Sequence, residues 1–265
     1  MQRLDIISAF IHHIFHGKTP FVALDYDGTL LPINDQPSPV IITPEIHDLL
    51  ESLSRLVPVA VLSGRSLANI RATVNLPGII YSGNHGFEIE GPGFIFSPPV
   101  SPDILARVRS AADKVHRAFA GIQGTFVEDK GITLSLHFRW ARDQDIPAIE
   151  AQFDRVVRPL SDKGRLCIIQ GKKIFEVRPP VEWDKGKALQ WILTHAPLAH
   201  PYGPLYPLYA GDDTTDEDAF AALKDSGLTL HVGARSSSAA QYYVEDIPAM
   251  IRFLSMLRDY CLTNR

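Results

Sequence analysis

Asp25 and Asp27 stand two residues apart where the apolar run 21–24 stops, and Gly28 and Thr29 follow them. A carboxylate in this position can attack phosphorus, provided a metal ion neutralises the charge on both partners. The second carboxylate can give a proton to a departing oxygen and later take one from water. Gly28 permits a sharp turn, and Thr29 offers a hydroxyl and a backbone N–H to a phosphate. The same residues also describe an ordinary Asp-Gly turn after a strand. An EF-hand is excluded, because Gly28 falls at loop position four rather than six, and Gln36 stands where glutamate is required.

A second acidic cluster, Gly211-Asp212-Asp213-Thr214-Thr215-Asp216-Glu217-Asp218, also follows an apolar run. Dipole compensation at a helix start accounts for one or two acidic residues. Five carboxylates within seven residues repel one another, and a hard cation relieves that repulsion; oxygen-only donors favour Mg²⁺ over zinc. Lys185 opens a helical pattern and can set a fixed positive charge beside a phosphate, although alone it reads as a surface lysine. Ser63, ahead of Gly64 and Arg65, offers a hydroxyl at a helix N-terminus, although alone it reads as a helix cap.

These residues need elements to hold them. Apolar runs at 21–24, 57–62, 78–81 and 205–210 each stop at a polar cluster, the third at Ser82-Gly83-Asn84-His85-Gly86, and 228–232 is a further short run. Runs this apolar suit strands covered on both faces. Helical patterns at 44–56, 66–74, 186–193 and 217–223 lie between them, so the expected fold is α/β, a doubly wound and mostly parallel sheet. Ligands bind such sheets beyond the carboxyl ends of the strands, where the polar clusters fall. Between them the pattern changes to helix 102–119, strand 125–128, the alternating strand 132–139, helix 145–157, and strands 166–170 and 172–178. This αββαββ unit is expected as an insertion. Thr133, Ser135, His137 and Arg139 share one face of its long strand, and Lys172, Glu176 and Arg178 share a face of its last; such a polar face is ordinarily solvated.

Taken together, DYDGTL, the serine of LSGR, the lysine of DKGKAL and GDDTTDED resemble, in order, the four motifs of the haloacid dehalogenase superfamily. The resemblance implies that core with an inserted α/β cap, the core at 1–98 and 180–265 and the cap at 101–178. It implies Asp25 as nucleophile, Asp27 as general acid and base, and Ser63 and Lys185 as phosphate holders. It implies Mg²⁺ held by Asp25, the backbone carbonyl of Asp27 and Asp212, with Asp213 or Asp216 assisting directly or through water. Within the superfamily the chain is most similar to the trehalose-6-phosphate phosphatases. That likeness rests on GNHG around His85, on Glu128-Asp129-Lys130-Gly131 with His137 and Arg139, on GKKIFEVRP, and on GDDTTDEDAF. It implies a disaccharide phosphate as substrate, with cap groups on the sugar: Glu176 first, then Lys130, His137, Arg139, Lys172 and Arg178. Asn84 and His85 are expected to meet it from the core side, with Thr29, Gly64 and Arg65 near the phosphate. No synthase segment precedes the motifs, so a free-standing enzyme acting after a separate synthase is expected.

Composition narrows the alternatives. The formal charge of −4 provides no basic field for nucleic acid. No stretch has the roughly 18 apolar residues of a membrane span. Cys167 and Cys261 form no metal or redox spacing and read as two plain thiols; with neither a signal-peptide pattern nor a membrane span in the sequence, a cytoplasmic protein is expected. Gly17-Lys18-Thr19 imitates the end of a P-loop but lacks the earlier glycine and precedes its strand. His12 and His16 are four apart on a helical stretch with no third metal ligand. Three rival functions share the core motifs: a phosphatase for another sugar phosphate, a phosphomannomutase-like transferase, and a non-catalytic sugar-phosphate binder.

Overall fold

The computed structural model describes every residue except 5–7, 34–41, 162–163, 172, 197–203, 236 and 265. It divides into two compact units, Met1–Ser97 with Trp183–Arg265, and Pro98–Glu182.

The first unit runs β1 (Gln2–Arg3), α1 (Ser8–Phe15), β2 (Thr19–Asp25), α2 (Pro44–Ser54), β3 (Val59–Leu62), α3 (Leu67–Val74), β4 (Ile80–Gly83), β5 (Glu88–Gly91) and β6 (Phe94–Phe96). The second contains α4 (Pro102–Phe119), β7 (Phe126–Asp129), β8 (Leu134–His137), α5 (Ile146–Ser161), β9 (Cys167–Gly171) and β10 (Ile174–Arg178). The chain then completes the first unit with α6 (Lys185–His195), β11 (Leu205–Gly211), α7 (Glu217–Leu223), β12 (Leu228–Val232), β13 (Tyr242–Val244) and α8 (Ile247–Thr263).

The large sheet has the order β1-β13-β12-β11-β2-β3-β4-β5-β6, parallel through β4 and antiparallel for its last two strands. Strand β2 is buried along its whole length, and alternation assigns its side chains to two layers. Val22 and Leu24 join the core formed by α1, α2, α3 and α8; Phe21 and Ala23 join the core formed by α6 and α7. The sheet is therefore doubly wound, as the unbroken apolar runs imply. Chain order reverses at β2, with β3 on one side and β11 on the other, which is the switch point where such sheets bind ligands.

Strand limits shift for identifiable reasons. The run 57–62 yields a strand only from Val59, because the Leu56 and Val57 amides still close the end of α2 on the Leu53 carbonyl and Pro58 has no N–H. The run 132–139 yields Leu134–His137, because Lys130 and Thr133 close a tight turn around Gly131, whose φ is +80°. The P-loop imitation is a turn entering β2, with the Lys18 ammonium 4.0 Å from the Tyr206 ring centre.

In the second unit the antiparallel order is β7-β8-β10-β9. Leu134, Leu136, Phe175 and Val177 pack with Val108, Val115, Ile149 and Phe153 of α4 and α5. Ser135 lies opposite both Glu128 and Glu176 on the other face. That face is not simply solvated: Thr133, Ser135, Glu176 and Arg178 are buried, and pairing of Arg178 Nη2 with Glu176 Oε2 at 2.7 Å makes burial of the two charges tolerable.

Candidate active site

Strand β2 delivers Asp25 at its last position, 5% exposed. The chain then folds back tightly: the Leu30 and Leu31 amides donate to the Tyr26 carbonyl, and Gly28 N–H donates to the Leu31 carbonyl at 2.7 Å. Gly28 sits at φ +89°, and a Cβ there would lie 2.1 Å from Asp212 Oδ2. Only glycine lets this turn approach the acidic loop that follows β11. Thr29, fully buried, donates its hydroxyl to Asp212 Oδ1 at 3.3 Å.

The loops after β3 and β4 are joined by backbone hydrogen bonds. Asn84 N–H donates to the Arg65 carbonyl at 2.7 Å and His85 N–H to the Ser63 carbonyl at 3.0 Å. Gly64 leaves room for the His85 ring, which a Cβ would meet at 2.6 Å. Asn84 and His85 both have left-handed backbone, φ 51° and 54°, and Asn84 Nδ2 donates to Glu88 Oε2. Two successive non-glycine residues in this region are strained, and the neighbouring loops hold them there. The Ser63 hydroxyl oxygen accepts from Arg65 N–H at 3.1 Å, and the Arg65 guanidinium grips Asp27 through both oxygens at 2.6 and 2.7 Å. Arg65 also lies 5.1 Å from the centre of the Tyr26 ring.

Lys185 begins α6, whose cap is the Asp184 carboxylate accepting from Lys187 N–H at 2.7 Å. Its ammonium, 2% exposed, donates to Asp25 Oδ1 at 2.7 Å and to Asp216 Oδ1 at 2.8 Å. Asp216 is wholly buried: Oδ1 also accepts the Tyr209 hydroxyl at 2.6 Å, and Oδ2 accepts the Asp212 and Asp213 amides at 2.9 and 3.0 Å. Asp213 turns its carboxylate to the Thr215 amide and hydroxyl at 2.7 and 2.8 Å.

Burial raises the Asp25 carboxyl well above its usual range, and the Asp216 and Asp212 charges add to the rise against the Lys185 ammonium. Burial, reinforced by Asp216 and Asp213, pushes Asp212 up to about 7. Asp213 is lowered despite burial, because Lys185 and the Thr215 hydrogen bonds favour its anion. Desolvation works against the Lys185 ammonium, yet Asp216 and Asp25 outweigh it and hold its pKa above the usual value. Burial beside Asp216 raises the Tyr209 phenol, which stays a donor.

Among the described residues, Asp25, Asp212 and Asp216 each offer a carboxylate oxygen within 4.8 Å of the others. Three oxygen donors at this spacing, two of them (Asp25 and Asp212) drawn toward their protonated forms by burial, suit a hard divalent cation. Asp216 is the poorest ligand of the three, because four donors already fill the acceptor positions of its two oxygens. Asp213 and the side chain of Asp27 lie outside this group.

In the second unit, His137 Nε2 lies 3.1 Å from Glu128 Oε2, and Lys130 Nζ is 3.7 Å from the same oxygen. Arg139 is half-buried, and Lys172 lies outside the described residues. Tyr209 and Glu88 are polar residues that motif reading leaves out, and Glu128 is one that it includes without a role. Glu128 carried a signal, since it stands in the Glu128-Asp129-Lys130-Gly131 segment on which the family likeness rests. Tyr209 carried none, because its link to Asp216 depends on how β11 and the following turn are stacked.

The trehalose-phosphatase family model matches residues 23–248. The trehalose-phosphate phosphatase of Mycobacterium tuberculosis (strain ATCC 25618 / H37Rv) is 34% identical over 239 residues, covering 89% of this chain and 60% of the relative. A probable trehalose-phosphate phosphatase D of Arabidopsis thaliana is 33% identical over 258 residues, covering 92% and 68%. The C-terminal domain of C. albicans trehalose-6-phosphate phosphatase superposes with TM-score 0.78 at 21% identity, covering 97% of this chain and 98% of that one, a likeness of fold. The chain spans 60% of the length of the M. tuberculosis relative. With the match running from within β2 into α8, the chain belongs to the trehalose-phosphatase family.

Proposed function

We propose that this protein hydrolyses trehalose 6-phosphate to trehalose and phosphate through an aspartyl-phosphate on Asp25. The observation that carries the proposal is the buried Lys185 ammonium shared between Asp25 and Asp216, with the Asp212 carboxylate beside them. Lys185 occupies Asp25 Oδ1, which leaves Oδ2 as the attacking oxygen. The ammonium has three N–H groups; Asp25 and Asp216 take two, and the third suits a phosphoryl oxygen. Ser63, with Thr29 and the backbone around Gly64, is assigned to the remaining phosphoryl oxygens.

In the first half-reaction the Asp25 oxygen bonds to phosphorus while the bond from phosphorus to the sugar oxygen breaks, and Asp27 protonates that oxygen. In the second, water attacks phosphorus, Asp27 takes its proton, and the Asp25 bond to phosphorus breaks to release phosphate. Both oxygens of Asp27 are engaged by Arg65, so release from that fork precedes the first proton transfer. Asp25 and Asp212, with the backbone carbonyl of Asp27, would hold Mg²⁺; Asp216, whose acceptor positions are filled, would assist through water, and Asp213 directly or through water. When bound, Mg²⁺ neutralises charge between the carboxylate and the phosphoryl group.

The disaccharide is assigned to Glu176, Arg178, Lys130, His137, Arg139 and Lys172 of the second unit, which serves as the specificity cap, and to Asn84 and His85. A carboxylate such as Glu176 can accept from two adjacent sugar hydroxyls. The substrate ester implies an upstream synthase. Two free cysteines accord with a cytoplasmic setting; among the described residues no helix is long and apolar enough to cross a membrane.

Phosphate release with Mg²⁺ is to be measured on trehalose 6-phosphate, sucrose 6-phosphate, glucose 6-phosphate and mannose 6-phosphate, with EDTA and Asp25→Ala controls. The expected result is strong preference for trehalose 6-phosphate, lost in EDTA and in the variant. Metal-dependent release from another substrate would overturn the sugar assignment, and turnover by Asp25→Ala would overturn the nucleophile.

A further inference from the structure

Tyr209 takes no part in the chemistry assigned above, yet its hydroxyl is tied to it. Strand β11 pairs in parallel with β2, and Tyr209 lies opposite Ala23, two residues before Asp25. Alternation turns its ring toward α6 and α7, where it is wholly buried and meets Phe220 edge-on at 5.7 Å. Phenylalanine would fill the same space, so packing alone does not call for the hydroxyl. That hydroxyl donates at 2.6 Å to Asp216 Oδ1, the same oxygen that accepts Lys185.

We propose that Tyr209 is a positioning residue for phosphoryl transfer: its hydrogen bond to Asp216 Oδ1 limits the pull of Asp216 on Lys185 and so keeps the ammonium between Asp216 and Asp25. The inference rests on the phosphatase reading. The two amides on Oδ2 fix the plane of the Asp216 carboxylate, and Oδ1 is left with two donors, one of them Lys185. Removing the tyrosine donor leaves Lys185 to compensate Oδ1 alone. The ammonium then moves toward Asp216, away from Asp25 and from the phosphoryl oxygen it must meet. The loss is felt after substrate binding, since sugar contacts do not involve this network.

Tyr209→Phe tests this by steady-state kinetics on trehalose 6-phosphate and p-nitrophenyl phosphate, with the unfolding midpoint and a crystal structure of the variant. The expected result is a kcat about tenfold lower on both substrates, the size of one hydrogen bond to a charged group. KM should stay within about twofold. The midpoint should hold, and Lys185 Nζ should sit farther than 2.7 Å from Asp25 Oδ1. A kcat equal to wild type, or a Lys185 that has not moved, overturns the inference, as does a loss that follows a collapsed midpoint. Wild-type protein inactive on both substrates overturns the phosphatase reading itself, and the wild-type control separates that outcome from the others.

Discussion

Gly28 is the point at which the two acidic loops approach each other. With φ at +89° and Asp212 Oδ2 2.1 Å from the place of a Cβ, the position is closed to any side chain twice over. Gly28→Ala adds backbone strain of about 1–2 kcal/mol. It also drives the Asp212 carboxylate out of the Asp25 group, since the rest of that loop is fixed by the Asp216 hydrogen bonds. The expected outcome is a loss of kcat greater than about 100-fold, with a raised Mg²⁺ requirement and a fold retained by circular dichroism. Near-normal activity at ordinary Mg²⁺ would show that Asp212 is not held by this contact. Gly64 differs from Gly28 in that its would-be Cβ meets the ring of His85, a side chain better able to shift.

Glu176 and Arg178 show what a strand contributes that residue types do not. Both project from β10 onto one face, and their 2.7 Å pair is almost wholly buried. Losing one partner strands the other charge at a cost of about 3–5 kcal/mol. Glu176→Ala and Arg178→Met should each lower the unfolding midpoint, and the double variant should recover part of the loss. If Glu176 also reads the sugar, Glu176→Ala lowers turnover of trehalose 6-phosphate far more than that of p-nitrophenyl phosphate; equal loss on both removes it from the sugar site. Alternation made the shared face of these residues legible in the sequence, but not their pairing or burial, because a period of two says nothing of what faces a strand. Strand ends that stop at Asp25, Ser63, Asn84 and Asp212 were legible for a related reason: buried parallel strands are apolar throughout, so the first polar residues mark the carboxyl edge. The hairpin of β5 and β6 was not, since its strands have four and three residues and one turn of alternation is no signal. Helix α8 carries a full stripe, Met250, Phe253, Leu254, Leu257 and Cys261, capped by Asp246. It escapes a reading led by apolar runs, because β13 before it is only three residues long and two of them are tyrosines.

At the scale of the whole molecule, charge is divided unevenly. Met1–Ser97 with Trp183–Arg265 carries twelve Lys/Arg against nineteen Asp/Glu, a formal −7. Pro98–Glu182 carries fourteen against eleven, a formal +3, and the two make up the −4 of the chain. The negative unit holds the carboxylates that suit a divalent cation and the groups assigned to the phosphate, and the positive unit holds most of the groups assigned to the sugar of this anionic substrate. A negative chain repels a phosphate dianion unless the positive unit draws it in, and such fields act over a Debye length. That length falls from about 30 Å at 0.01 M ionic strength to about 8 Å at 0.15 M. With Mg²⁺ fixed and saturating, kcat/KM for trehalose 6-phosphate should fall about three- to tenfold across this range, mainly through KM. A rise with salt would mean that the field of the −7 unit governs the approach, and a flat response that neither does. Replacing Lys130 and Arg139 by methionine should remove most of the salt dependence if these two cations carry the attraction; an unaltered slope would assign it to the outer basic residues of α4 and α5.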